Sequence, residues 1–480
     1  MNSYHRKLAV LIGLSSSCLL VHKFIPQYLK MSTLTTQQDD LDQFCKIYLR
    51  RDQTGRDIGS HRDPKVAIYA PSWVKDGLQT LAGQLSGKRF KVLEAYSSSP
   101  LEEFTLTSTL TLTELQKISR NEASNVDGVI NIGHYSDGGI DDLELLLAMK
   151  DLVRQSIIVS RTEATHFGGY PNRSSRKELN PTSPVYIVDL AALQFQQYYN
   201  TGRLVLINEV DPIPPSRGLL DDLIFERVVG EKKKTFQEAK NSPDAKIRFV
   251  SVRGFGRSKC LFDVHAYHKF VAWDVVLVGL AVTHSTVKSG HGDKVNFKFL
   301  KYGTGFFAGH FGNIVNSHIL TGVVLGLEML FEKHGDTVSQ VINHIELPFY
   351  QSEVGGVERL EKIREKYHVT YSFGMDDALK PTQPGLVTAS TNCGDSMAVF
   401  GNEMGFSSVD AAIAENLEGK GATLCPILNP EMQNVFLDLD EEPIADNADL
   451  INLADTNPNE KEQSEAMDVS SSDNKMSPHL

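Results

Sequence analysis

The chain has 480 residues, 41% of them hydrophobic, and a formal net charge of −12, so it is long and apolar enough for the core of one large domain or two ordinary ones. The acidic balance argues against a nucleic-acid partner, whose backbone asks for Lys and Arg clustered on one face. Five cysteines (Cys18, Cys45, Cys260, Cys393 and Cys425) stand far apart, in odd number and without a CxxC pair, which signals neither a zinc ribbon nor a disulfide framework.

The first element in chain order is the apolar run Leu8–Val21 behind His5, Arg6 and Lys7. Ser15, Ser16 and Ser17 interrupt it, it falls short of the roughly 20 apolar residues of a spanning helix, and Lys23 follows where a cleavage motif would stand. A cytoplasmic protein is the expectation, with anchoring or targeting through residues 8–21 as the alternative; a membrane is a partner only if that segment is retained. The expected layout is an N-terminal segment with a polar leader over 1–44, one α/β domain with extra N-terminal elements over 45–437, and a tail over 438–480. The tail is acidic and rich in Asn, Ser and Asp, which predicts disorder.

Between these ends short β-branched runs alternate with helical spacing, as in a mostly parallel sheet covered by helices. Val66–Ala70, Val126–Ile132, Val185–Val188 and Leu204–Ile207 read as strands, and Asp141–Met149 and Ile319–Glu332 as helices. The Pro-rich bend Asp211–Pro215 and the run Glu231–Lys234 predict a surface excursion. Gly254-Phe255-Gly256 reads as a tight hairpin turn.

Two turns carry the candidate chemistry. In the first, the alternating strand Val295–Tyr302 runs into Gly303-Thr304-Gly305-Phe306-Phe307-Ala308-Gly309 and then an amphipathic helix. Glycines there let the backbone approach a diphosphate, and amides at a helix start favour anions. In the second, the strand Gly385–Asn392 ends at Asn392-Cys393-Gly394-Asp395, followed by Gly401-Asn402-Glu403 and by Ser407-Ser408-Val409-Asp410 at a helix start. A serine cap and the helix dipole account for Asp410 but not for Asp395 or Glu403. Ribose hydroxyls want carboxylate and amide acceptors, and glycosidic hydrolysis wants a carboxylate beside an oxocarbenium-like centre.

Other patterns read as structural. His265 and His268, with His284 and His291 further on, lack the i, i+4 spacing of a zincin helix. Asp293 reads as a turn former, and Gly168–Arg173 as a solvated loop before Arg176 and Lys177. Asn131–Gly139 is a further strand-end turn, a plain one or a pocket wall. There is no GxSxG, and Cys393 has no adjacent base to activate it.

At these two turns the sequence resembles the macrodomain family, whose members bind ADP-ribose and in part hydrolyse it from proteins. Tyr302–Gly309 looks like the family's diphosphate loop, and Asn392 with Ser408–Ile413 is similar to its Asn-bearing strand end and helix start. The closer likeness, over about residues 60–435, is to the MavL-like group of atypical macrodomains that remove ADP-ribose from arginine. It rests on the Gly303–Gly309 turn, Asp395, Gly401-Asn402-Glu403 and Ser408-Val409-Asp410.

The resemblance implies a three-layer α/β/α fold around a mixed, largely parallel sheet. It implies Asp395, Glu403 and Asp410 as catalytic acids, and Gly303, Thr304, Gly305, Phe306, Phe307, Asn392 and Asn402 as ligand-binding residues, with no metal and no cofactor. The expected activity is release of ADP-ribose from a modified protein side chain, foremost arginine. A module that reads ADP-ribose or a related nucleotide without turning it over is the alternative, and a scaffold acting through its acidic tail is a third reading.

Overall fold

The computed structural model describes residues 66–93, 100–119, 122–126, 129–133, 143–168, 176–196, 201–210, 219–254, 258–350, 356–374, 377–394, 432–437 and 439. The apolar run at 8–21 and the acidic residues beyond 439 lie outside them.

The described elements, in chain order, begin with β1 (Ala67–Pro71), α1 (Val74–Leu85), β2 (Arg89–Leu93), β3 (Pro100–Thr105), α2 (Leu112–Ser119), β4 (Glu122–Val126), β5 (Val129–Gly133) and α3 (Leu143–Arg154). Then come β6 (Ile157–Phe167), β7 (Lys177–Ala191), a 3-10 turn at Thr201–Val205, β8 (Leu206–Asn208), α4 (Asp221–Val229), α5 (Phe236–Lys240), α6 (Ala245–Arg248), β9 (Phe249–Arg253) and β10 (Lys259–Asp263). The long helix α7 (Val264–Ser289) leads to β11 (Val295–Lys298), a 3-10 turn at Phe306–Phe311, α8 (Gly312–Val338), β12 (Ile342–Pro348), α9 (Val357–Tyr367), β13 (Thr370–Gly374), β14 (Val387–Gly394) and β15 (Gln433–Leu437).

Eight strands form the central sheet in the order β13-β12-β11-β14-β7-β6-β1-β15. The pairs from β13 through to β7 are parallel, as is β1 with β15; β6 alone runs against its neighbours. The α/β class and the largely parallel sheet therefore stand. All five residues of β1, all four of β11 and the last seven of β7 are buried, the signature of strands covered on both faces. Two smaller sheets, β8-β10-β9 and β3-β2-β5-β4, accompany it.

Helix α7 starts where Asp263 accepts the Ala266 amide and ends at Gly290 in the left-handed conformation, a start and a stop written in the sequence. It packs along α8 through glycines: a Cβ on Gly326 would stand 2.6 Å from the Ala272 carbonyl oxygen, and one on Gly279 2.3 Å from Leu330. Both helices are long and apolar enough to cross a membrane, yet the apolar window of α7 is 78% buried inside the protein and that of the segment containing α8 is 61% buried. Six consecutive α8 residues, Gly322 to Leu327, are buried, so the helix expected to be amphipathic is an interior one at its centre.

Three expected strands are corrected. The run Val126–Ile132 is an antiparallel hairpin, with β4 ending at Val126 and β5 opening at Val129. Leu204 and Val205 belong to a 3-10 turn, because Gly202 is pressed against Phe195 and its amide donates to the Gln194 carbonyl. The strand expected over Val295–Tyr302 stops at Lys298. The hairpin expected at Gly254 is present, with β9 and β10 antiparallel and the Gly254 amide bonded to the Ser258 carbonyl.

Candidate ligand site at the carboxyl ends of β11 and β14

Strands β11 and β14 are parallel neighbours, with Asn296 beside Thr388 and Lys298 beside Ser390. The two turns selected from sequence therefore leave the same end of the sheet from adjacent strands. Their onward connections diverge: β11 leads through α8 to β12, its other neighbour, whereas the chain after β14 next joins the sheet at β15, on the far edge. A divergence of this kind opens the crevice in which open α/β sheets hold their ligands.

The Gly303–Gly309 turn is held from two sides. The Leu300 amide donates to the Thr391 hydroxyl of β14 at 2.9 Å, and the Phe307 carbonyl accepts the Phe195 amide, beyond the end of β7, at 2.7 Å. Two glycines have packing reasons. Gly303 has φ +64° and a Cβ there would stand 2.9 Å from that of Ala192; Gly309 has φ +55° and a Cβ would stand 3.0 Å from the Phe195 carbonyl oxygen, a conformation and a clearance that only glycine meets comfortably.

Gly305 differs: its φ is −92° and its ψ −126°, and a Cβ would meet none of the described residues within 4 Å. It is exposed, Thr304 and Phe307 are half-buried, and the short 3-10 turn beginning at Phe306 separates it from α8. Packing against the described residues does not call for glycine at 305.

Behind the turn Tyr302 is buried and donates its hydroxyl to Asp274 of α7 at 2.5 Å, and Arg154 of α3 reaches the same carboxylate oxygen at 2.7 Å. Burial raises the Asp274 carboxyl to a pKa of about 6 against the pull of Arg154 and Tyr302. This polar lock ties the turn to the core helix.

Asn392 lies on β14 directly beside Asp189 of β7 and donates its Nδ2 to the Asp189 carboxylate at 3.1 Å. Both residues are buried, and the Asn392 Oδ1 has no hydrogen-bond partner among the described residues. Asp189 was not singled out from sequence; the signal available was one carboxylate inside the otherwise apolar run Val185–Ala191.

One face of the same strands holds a second polar group. Lys298, fully buried, donates to Glu346 of β12 at 3.1 Å and to the Asp377 carbonyl at 2.9 Å. Asn296 donates to Glu346 at 2.9 Å and to Thr382 at 2.8 Å. His344, on the same strand, bonds Thr370 at 2.7 Å and Ser372 at 2.9 Å, and burial lowers its pKa.

Gly303, Thr304, Gly305, Phe307 and Asn392 thus gather at one end of the sheet, with the backbone of Phe306 between them. Asp395, the residue after the end of β14, and Asn402, Glu403 and Asp410 lie outside the described residues, as do Gly169–Arg173 and His134–Gly139. Asn131–Gly133 closes β5 in the four-stranded sheet. Asp293 does more than form a turn: it accepts from Arg161 at 3.0 Å and Tyr186 at 2.8 Å. His268 packs its ring, tilted, against that of His318 at 5.2 Å, and no cluster of metal-ligating side chains occurs among the described residues.

No protein-family model matches this sequence, and no curated protein matches it.

Proposed function

We propose that this chain binds ADP-ribose in the crevice between β11 and β14 and hydrolyses the bond joining it to a protein side chain, foremost arginine. The observation that carries the reading is the divergence of the chain at these two adjacent parallel strands, with a Gly-rich turn on one and Asn392 on the other. The diphosphate lies along Gly303, Thr304 and Gly305, where no described residue stands within 4 Å of a Cβ built on Gly305. Phe306 and Phe307 flank it, and Asn392 and Asn402 take the ribose.

Asp395, Glu403 and Asp410 supply the acids. One carboxylate takes a proton from water as its oxygen adds to the anomeric carbon; the bond to the guanidine nitrogen breaks, and that nitrogen leaves with the arginine. Carboxylates facing the positive charge that develops on the sugar stabilise it, an effect of roughly 3–4 kcal/mol for a well-placed group. The reading needs neither a metal nor a cofactor.

A time course with arginine-ADP-ribosylated protein tests this. Release of ADP-ribose by the wild type and its loss in Asp395→Ala support the hydrolase. Binding without release favours the reader module, and an ADP-ribose titration without heat or saturation defeats both.

A further inference from the structure

The hydrogen bond between Asn392 and Asp189 fixes more than a distance. A carboxamide can present either its oxygen or its NH2 in a given direction, whereas a carboxylate only accepts. With Asp189 at 3.1 Å, the NH2 of Asn392 must face β7, and the carbonyl oxygen must turn away from it. That oxygen has no donor among the described residues, in a residue only 2% exposed. Buried acceptors are rarely left so, because a lost hydrogen bond to water has to be replaced.

On β11 and β14 two other buried oxygens lack a donor among the described residues, Asn296 Oδ1 and Thr388 Oγ1, side by side in register deeper in the sheet. Asn392 is four residues further along β14 than Thr388, two residues from the strand's end at Gly394 and level with the exit of β11. Of the three, it is the one at the crevice.

We infer that Asp189 is a positioning residue: it locks the Asn392 side chain so that Oδ1 accepts from a hydroxyl of the ribose beyond the diphosphate. This rests on the reading of the crevice as an ADP-ribose site. Asp189 itself touches no ligand. Its effect is to make the site demand a donor at that position, so that ADP-ribose is preferred over ADP, which has the same diphosphate but lacks the second sugar.

The test is calorimetric titration of the full chain with ADP-ribose and, separately, with ADP. In Asp189→Asn the neighbour can donate as well as accept, so Asn392 loses its fixed orientation. ADP-ribose affinity is expected to fall about 10-fold or more, the scale of one lost hydrogen bond to a buried group, with ADP affinity changed less than about two-fold. Asn392→Ala should lose the same selectivity. The double variant should be no worse than Asn392→Ala alone, since residues that act through one another are not additive.

Equal weakening of both ligands, or additive losses in the double variant, would make Asp189 a structural residue and overturn the inference. So would unchanged selectivity in Asp189→Asn. If Asp189→Asn melts well below the wild type, Asp189→Glu keeps an acceptor-only group and should retain the preference; its loss there would count against the inference. Should the wild type bind neither ligand, the reading of the crevice falls and takes this inference with it, whereas wild-type binding with an indifferent Asp189→Asn sinks the inference alone.

Discussion

The Leu300 amide donates to the Thr391 hydroxyl across the boundary between β11 and β14, at 2.9 Å and with both residues buried. The bond begins where the backbone pairing of the two strands ends, after Lys298 and Ser390. It is the side-chain clasp that holds the start of the Gly-rich turn against β14. Replacing Thr391 by Val keeps the shape and leaves a buried amide without an acceptor, at a cost of about 1–3 kcal/mol. The unfolding free energy from urea titration should fall by that amount, lowering the midpoint, and recover in Thr391→Ser. An unchanged midpoint in Thr391→Val would remove the clasp from the account.

Alanine at Gly303 and alanine at Gly305 are read out by different measurements. At Gly303 the positive φ and the 2.9 Å approach to Ala192 predict a loss of about 1–3 kcal/mol, visible in the melting temperature. At Gly305 a Cβ would meet none of the described residues within 4 Å. The Gly305→Ala chain should bind ADP-ribose at least about ten times more weakly, because the methyl occupies the approach to the backbone. Wild-type affinity in Gly305→Ala would take the diphosphate away from this turn.

How much of this was legible in the sequence follows from what each pattern encodes. The strands at Ala67, Val185 and Val387, the helix from Leu143 and the hairpin at Gly254 were marked by β-branched runs, helical spacing and glycine. Val126–Ile132 reads as one strand only where the β-branched run outweighs Asp127-Gly128, a strong two-residue hairpin signal. The fifteen-residue β7 hides its first half in polar residues and in Pro181 and Pro184. In β11 the alternation Val295-Asn296-Phe297-Lys298 looks like a strand with one wet face, but that face is closed by the 377–382 segment over a buried ion pair. Alternation records polarity, not exposure. The pairing of Asn392 with Asp189 needed the sheet order, which no local pattern carries.

That buried pair supplies its own prediction. Lys298 and Glu346 are almost completely excluded from water, so removing one partner strands the other charge. Lys298→Met should cost about 3–5 kcal/mol. In the double variant with Glu346→Gln the remaining group is neutral, and it can still bond Asn296 and Thr382. Denaturant unfolding should then show the double variant more stable than Lys298→Met. If both are equally unstable, the charge is not what the site must neutralise.

The pH dependence of stability should carry the mark of the histidines between α7 and α8. Burial presses the His318 pKa from 6.5 to about 4, and His268, whose ring centroid is 5.2 Å away, is lowered in the same direction by burial, by His318 and by His265. Between those values the unfolded chain takes up protons that the folded chain refuses. The contribution is therefore complete above pH 6.5 and is lost as pH falls toward 4, amounting to about 3 kcal/mol at most for His318 from its shift. Asp274 works against this trend, because its raised pKa of about 6 lets the folded state hold a proton that the unfolded chain releases, adding stability as pH falls from 6 toward 3.8. The difference between wild type and His318→Leu isolates the histidine, since Asp274 is common to both. Unfolding free energies measured from pH 7.5 down to pH 4.5 should fall more steeply in the wild type than in His318→Leu. Parallel curves would mean that the imidazole charges inside the fold, and the dry contact between the two helices would have to be given up.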